Sequence, residues 1–322
     1  MDRRARIVVV VLGSLVLLGL VVRVGITAGG FELPPTAEIR SIRMQQAVAA
    51  LIIGAALAVA GALLQTLLRN PLGEPWMLGL TAGAGLAVAV WAYFGYVATG
   101  QIVRYAPPLL PALVGAMGAL GLVYALSQRR GFVDPGSLIL IGVIVGIICG
   151  GLTTLVYWLL PGAGLDMAVR WMMGSISQEV TWGRLAMIGS LTAAGIGLAI
   201  WLGPALDAAS LSDDEAASVG VRIGMVRLIL FLTAGMLTAG TIVLAGPIGF
   251  VGLICPHLVR LLAGPGHRSL IVGSALAGAA LLLGADAAVS AIRAPSGRVP
   301  LGVVTALVGG PVFIVLLRRR TG

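Results

Sequence analysis

The chain contains no lysine: all 21 of its basic residues are arginine. A phosphate-gripping Walker loop requires the lysine of GxxxxGK[ST], so these 322 residues do not form a P-loop ATPase. Other chemistry is missing as well. There is no HExxH or GxSxG, no pair of carboxylates placed for acid–base work, and no His/Cys set at metal-ligand spacing. With only 2 His and 2 Cys, the chain offers neither a catalytic constellation nor a metal centre, and no cofactor is expected. Cys149 and Cys255 both sit in apolar surroundings and read as buried free thiols. Charge is scarce too, at 10% of residues, which excludes a large soluble domain.

What remains is apolar. Hydrophobic residues make up 59% of the chain and its mean hydropathy is +1.06. The formal charge of +9 does not imply nucleic acid, because no basic patch is interleaved with aromatics and the arginines punctuate apolar segments. Such segments fall at 5–26, 41–68, 76–97, 107–127, 137–160, 183–203, 224–245, 250–263, 269–291 and 301–317. Roughly 20 apolar residues cross a bilayer, so an all-α membrane protein of about ten transmembrane helices is predicted, as a single domain over 1–322. The 250–263 segment is too short to cross as a plain helix. The first segment exceeds a signal-peptide core and lacks an A-x-A site, so it reads as a retained span. With both termini in the cytoplasm, most arginines fall on the inner side, among them Arg3, Arg4, Arg6, Arg69, Arg260, Arg268 and the trio 318–320. Arg23, Arg40, Arg43, Arg104, Arg170, Arg184, Arg293 and Arg298 are left outside, a minority that agrees with the positive-inside rule.

Two stretches break the pattern. AGPIGFVGLICPHLVR at 245–260 and RNPLGEPWMLG at 69–79 are apolar runs interrupted by Gly and Pro, one in each half of the chain. Irregular backbone at membrane depth survives only beside protein or a wet cavity, and transporters place it next to their path. The topology assigns 69–79 to the inner face and the start of 245–260 to the outer, a weak inverted echo. The largest polar interruption, PALDAASLSDDEAASVGVRI at 204–223, is acidic and cytoplasmic. Ser212 and Glu215 form a capping-box pattern and Gly220 suits a helix end. This segment fits a solvated connector and equally a handle for a cytoplasmic partner. Gly142, Gly146 and Gly150 share one helix face, for close packing or a smooth passage.

The broken stretches resemble the permease family of ABC importers for iron–siderophore complexes, haem and cobalamin. The matching landmarks are Arg40–Arg43, GAALAVAGALLQTLLRNPLGEPWMLGLTAGAG at 54–85, RWMMGSIS at 170–177, LSDDEAASVGV at 211–221, AGPIGFVGLICPHLVRLLAGPGHR at 245–268 and PLGVVTALVGGPVFIVLLRR at 300–319. The resemblance implies a type II ABC importer permease of ten helices in a bacterial or archaeal inner membrane. Its partners would be a second permease subunit in a homo- or heterodimer, two ATP-binding cassette ATPases and an extracytoplasmic binding protein. The 204–223 segment would then supply coupling helices, with Leu211, Asp213, Asp214, Glu215 and Gly220 against the ATPase. Asn70 and Leu72 would belong to the cytoplasmic gate, with the 129–137 loop as another gate element. Arg40 and Arg43, with Arg293 and Arg298, would dock acidic residues of the binding protein. The chain departs from the family where Arg298-Val299-Pro300 replaces Glu-Leu-Pro, and where Arg40-Ser41-Ile42-Arg43 lacks a proline.

The competing reading is an ion-gradient-coupled secondary transporter, which needs ionisable groups at membrane depth. Asp286 is the clear carboxylate inside a late apolar segment, and one isolated acid is poor equipment for coupling. It reads as a structural helix-end hydrogen-bonding group, His257 as structural or interfacial, and Arg170 as the ion-pair partner of Asp166.

Overall fold

A computed structural model describes residues 3–27, 29–100, 109–129, 132–160, 171–177, 179–210, 213–218, 220–292 and 298–318. The helices follow the apolar segments closely: α1 (Arg3–Gly25), α2 (Ala37–Leu67), α3 (Leu80–Thr99), α4 (Leu109–Leu126), α5 (Pro135–Leu159), α6 (Trp182–Trp201), α7 (Gly203–Ala209), α8 (Asp213–Ser218), α9 (Ile223–Ala245), α10 (Val251–Ala263), α11 (His267–Ala291) and α12 (Leu301–Arg318). A 3-10 turn, Pro75–Leu78, lies between α2 and α3. Two small antiparallel hairpins complete the order, β1 (Ile26–Thr27) with β2 (Gly30–Phe31), and β3 (Gln128–Arg129) with β4 (Phe132–Val133). Among the described residues, 8 helices are long and apolar enough to cross a membrane; α10 and the apolar part of α12 are shorter.

Local chemistry sets the helix starts. Thr36 Oγ1 accepts the Ile39 amide at 3.3 Å, Thr181 Oγ1 the Arg184 amide at 3.4 Å, and Asp134 Oδ2 the Ser137 amide at 2.7 Å. Each fills an orphan donor of a first turn, and Pro135 occupies the first helical position where its missing N–H costs nothing. Gly220, at φ +79, follows α8, and the Val221 amide returns to Ala216 O at 3.1 Å. That is the helix stop the sequence calls for; Ser212 itself lies outside the described residues.

The 31-residue α2 is the axis of the molecule, and α1, α6, α9, α10 and α11 all pack on it. Lipid tails are as apolar as side chains, so no hydrophobic force drives helices together in a bilayer. Close van der Waals fit does so instead, and it requires small residues. On α2 those residues are Ala and Gly. A Cβ on Gly54 would overlap the Gly278 carbonyl of α11, and one on Gly61 the Gly252 carbonyl of α10. Helices α1, α5 and α6 instead present large apolar side chains outward, among them Val10, Leu17, Leu140, Ile147, Trp158, Met187 and Trp201.

The repeated glycines of α5 differ in their surroundings. Gly142 meets the backbone of Met77 and Leu78, whereas Gly150 has open space beside it. The two ends of the bundle differ in character. The basal end gathers the start of α1, the end of α2, α7 and the α10–α11 corner; the apical end gathers the end of α1, the end of α11 and residue 298. Substituting Gly61→Val should prevent the α2–α10 contact, with a cost of at least about 1–3 kcal/mol. Gly197→Ala, with nothing within 4 Å, should stay within about 0.5 kcal/mol of wild type. Monodisperse yield and thermal midpoint in detergent measure both.

Candidate transport path and coupling face

The two Gly/Pro-broken stretches do not stay on opposite faces. After α2 the chain turns at 68–72 and re-enters the bundle, so that Pro75 reaches Gly252 and shares a lining with Leu57, ten residues up α2 from Leu67. There the Glu74 carboxylate accepts the Phe250 amide through Oε1 and the Trp76 indole through Oε2 at 2.8 Å. Gln65 Nε2 donates to the carbonyls of Gly252 and Leu253 at 3.2 and 3.3 Å. The inverted placement expected from topology therefore gives way to convergence. The physical reason is that a buried N–H at the start of α10 needs an acceptor, and the re-entrant loop supplies one.

A third strap closes the arrangement. Ser175 N donates to Ala245 O at 2.8 Å, and Gly174 O accepts the amides of Leu301 and Gly302 at 2.9 and 3.3 Å. Gly174 and Gly246 both take positive φ, +68 each, and a Cβ on either would strike backbone; only glycine fits there. Phe250 holds φ +70 without that freedom. Between the straps lies an open cavity of about 380 Å³, lined by Trp76, Thr81, Met172, Met173, Pro247, Ile248, Gly249 and the first turns of α12. Its wall is mainly apolar, and its methionines are flexible and polarisable.

At the basal end the expected gate and coupling segments touch. Asn70 Oδ1 accepts the Leu72 amide at 2.9 Å, and Leu72 is exposed. Next to them Arg69, at φ +46, donates from Nε to the Ala209 carbonyl of α7 at 3.1 Å. Asp207, also on α7, receives both the backbone amide of His267 at 3.0 Å and its Nδ1 at 2.7 Å. The Nε2 of the same ring lies 3.0 Å from Thr66 Oγ1 on α2. Thus α7 is fastened to α2 and α11 at once. Glu215 is exposed on α8, beside Asp213 and Asp214, while Leu211 lies outside the described residues. The centre of the 129–137 loop, residues 130 and 131, lies outside them too. His267 stands at the first residue of α11; it falls within the 245–268 landmark, yet nothing in the sequence pairs it with Asp207 and Thr66.

At the apical end Arg40 is exposed, whereas Arg43 donates from Nη1 to Val24 O at 3.1 Å and Glu32 O at 3.2 Å. It thereby holds the hairpin that follows α1. Arg298 points inward: its Nη2 donates to Asp286 Oδ1 at 2.7 Å and to Ser290 Oγ at 2.9 Å. Arg23 pairs with the other oxygen of Asp286 and donates from Nη2 to Gln46 Oε1 at 2.6 Å. Asp286 is thus more than a helix-end acceptor; it pairs with the buried Arg23 on one side and the partly exposed Arg298 on the other. Burial lowers the Arg298 pKa from its ordinary value, while the facing carboxylate works the other way. Arg293, Asp166 and Arg170 lie outside the described residues. His257 is buried and meets Phe313 edge-on, with ring centroids 6.1 Å apart. Cys149 and Cys255 are free thiols, Cys255 fully enclosed and Cys149 partly so. No group of three potential metal ligands occurs among the described residues.

A helical membrane bundle, re-entrant straps around an apolar cavity and short helices pinned at one end together define a multi-pass membrane permease. Residues 25–319 match the FecCD transport family, and the chain belongs to it. It is 36% identical over 281 residues to the vitamin B12 import system permease protein BtuC of Serratia proteamaculans, covering 86% of this chain and 81% of that protein. It is 33% identical over 280 residues to the hemin transport system permease protein HmuU of Yersinia pestis, covering 87% and 83%. A solved metal-chelate type ABC transporter in an inward-facing conformation superposes with a TM-score of 0.84 at 28% identity, covering 98% of this chain and 99% of that one. The chain is a transport subunit and no enzyme; ATP hydrolysis belongs to a separate subunit.

Asp286→Ala should leave Arg23 buried without its countercharge and cost about 3–5 kcal/mol, seen as loss of folded protein in detergent. Arg298→Gln, at the partly exposed side of the network, should be milder. Equal tolerance of both would show that the ion pairs do not support the fold.

Proposed function

We propose that this chain is the permease subunit of an ATP-driven importer for a large metal chelate, in the class of cobalamin, haem or ferric siderophore. It works with a second permease subunit, two ATPase subunits and an extracytoplasmic binding protein in a bacterial or archaeal inner membrane. The basal end, with both chain termini, faces the cytoplasm. The family and the relatives that import vitamin B12 and haemin support the cargo class.

One contact carries the mechanism: the Arg69 guanidinium on the Ala209 carbonyl. The ATPase receives α7 and α8, through Leu211, Asp213, Asp214, Glu215 and the Gly220 turn. Nucleotide-driven displacement of α7 then pulls on Arg69, whose next residue begins the Asn70–Leu72 gate turn. The Asp207–His267–Thr66 set carries the same motion into α2 and α11. No bond in the cargo is made or broken here; the work is conformational. On the opposite face Arg40 meets an acidic lobe of the binding protein, and Arg43 shapes that surface by fixing the 26–32 hairpin. Arg298, committed to Asp286, contributes by ordering the corner before α12, and Arg293 lies in the same connection. Rim charges of this kind set encounter and orientation.

An ion-coupled mechanism fares worse on the same geometry. Asp286, the clear carboxylate in a late apolar segment, is bound on both oxygens by arginines and is already committed to holding the fold.

In proteoliposomes holding the permease, its ATPase and its binding protein, uptake of labelled cobalamin, haem and ferric siderophore should require ATP. Uptake of cargo that follows an imposed ion gradient without ATP would overturn the importer reading. Arg69→Ala should retain ATP hydrolysis but lower cargo moved per ATP at least severalfold. Arg40→Glu should weaken binding-protein affinity about tenfold, roughly 1.4 kcal/mol, with a shallower salt dependence.

A further inference from the structure

Beside the α7 anchor lies a second cavity, of about 720 Å³, that shares no lining residue with the first. It opens between α1, α6 and the α10–α11 corner. Arg6 enters it from the first turns of α1 and Arg268 from the second position of α11. Both side chains are exposed, and neither has a hydrogen bond or ion pair among the described residues. The acid in the lining is Asp207, and its Oδ1 already receives two bonds from His267. The cavity therefore holds two guanidinium groups against one engaged carboxylate, a surplus of positive charge. Most of the remaining wall is apolar, Ile200, Pro204, Ala263, Pro265 and Val272, with His267 and Ser269 as its other polar side chains.

We propose that this cavity binds the phosphate of an anionic phospholipid, clamped between Arg6 and Arg268. Three observations select a lipid over a soluble anion. The arginines stand where membrane-crossing helices begin, at headgroup level. The apolar wall would be left uncovered by a free phosphate. Helices α1 and α6 both flank α11 without packing substantially on each other, and an acyl chain would lie between them. Basic pockets between helices at a membrane surface have this recognition chemistry, and guanidinium groups match phosphate oxygens two at a time. A phosphocholine headgroup would bring its own cation against the arginines.

The same cavity wall carries Asp207, so an occupied site braces the α7 anchor. Lipid binding is thereby linked to the segment that meets the ATPase. This site stands apart from the cargo and does not depend on which chelate is carried.

The test is native mass spectrometry of the detergent-purified permease titrated with phosphatidylglycerol, phosphatidylcholine or inorganic phosphate. The wild type should retain phosphatidylglycerol roughly tenfold more tightly than phosphatidylcholine, an effect of the size that juxtamembrane charges supply, and millimolar inorganic phosphate should not displace it. Arg6→Gln with Arg268→Gln should abolish the preference, and each single variant should reduce it. Arg4→Gln, exposed on α1 but outside the cavity, should retain it. All the substitutions lie on exposed side chains, and an unchanged thermal midpoint in lipid-free detergent confirms folding. An undiminished preference in the double variant, an equal loss in Arg4→Gln, no preference in the wild type, or displacement by inorganic phosphate would each overturn the proposal.

Discussion

Every backbone N–H and C=O inside a bilayer must find a partner within the protein, and this permease is built around the places where helices do not provide one. Three irregular segments enter the bundle: 73–79, 171–175 and 245–250. Their polar groups are met by one another and by two side chains, the Glu74 carboxylate and the Gln65 amide. Because each strap completes the others, none is free to take an independent conformation. The apolar cavity between them is a by-product of that mutual satisfaction. Its lining runs from Trp76 and two methionines to Ile248 and Leu307 and carries no charged side chain.

The central position of α2 follows from the same constraint. A helix enclosed by five others cannot carry bulky side chains on every face, and its run of Ala and Gly lets α10 and α11 approach to backbone contact. At its lower end Gln65 touches α10, Thr66 approaches His267, and Arg69 just beyond holds α7. At its upper end Gln46 and Arg43 tie it to α1 and the hairpin that follows, so both ends of this packed rod are fixed by polar contacts.

Helix positions were legible because hydropathy marks membrane segments with little ambiguity; even the short α10 emerged within a residue of its ends. The broken stretches were legible as anomalies, though not their meeting, since hydropathy gives no depth for a loop that turns back. The ionic network at the apical end was hidden for another reason. Arg23 and Asp286 are 263 residues apart, and only the packing of α1 on α11 brings them together. Reading Arg298 as an outward docking charge was natural from its place at a span boundary, yet its side chain turns in toward Asp286. His267 and Asp207 lie in segments that stand out in the sequence, but 60 residues apart, and only the fold pairs them.

The bond from Arg69 to Ala209 ends on a main-chain oxygen. Any residue at 209 that keeps the helix would present the same acceptor, so the link depends on where the backbone runs and not on what the side chain is. Glu215 on α8 is the opposite case: its side chain is exposed, so its identity matters to whatever meets it. Under the proposed coupling, recognition and transmission would then be carried by different parts of one short segment. The contact surface could drift with its motor over evolutionary time while the backbone link behind it kept its stroke.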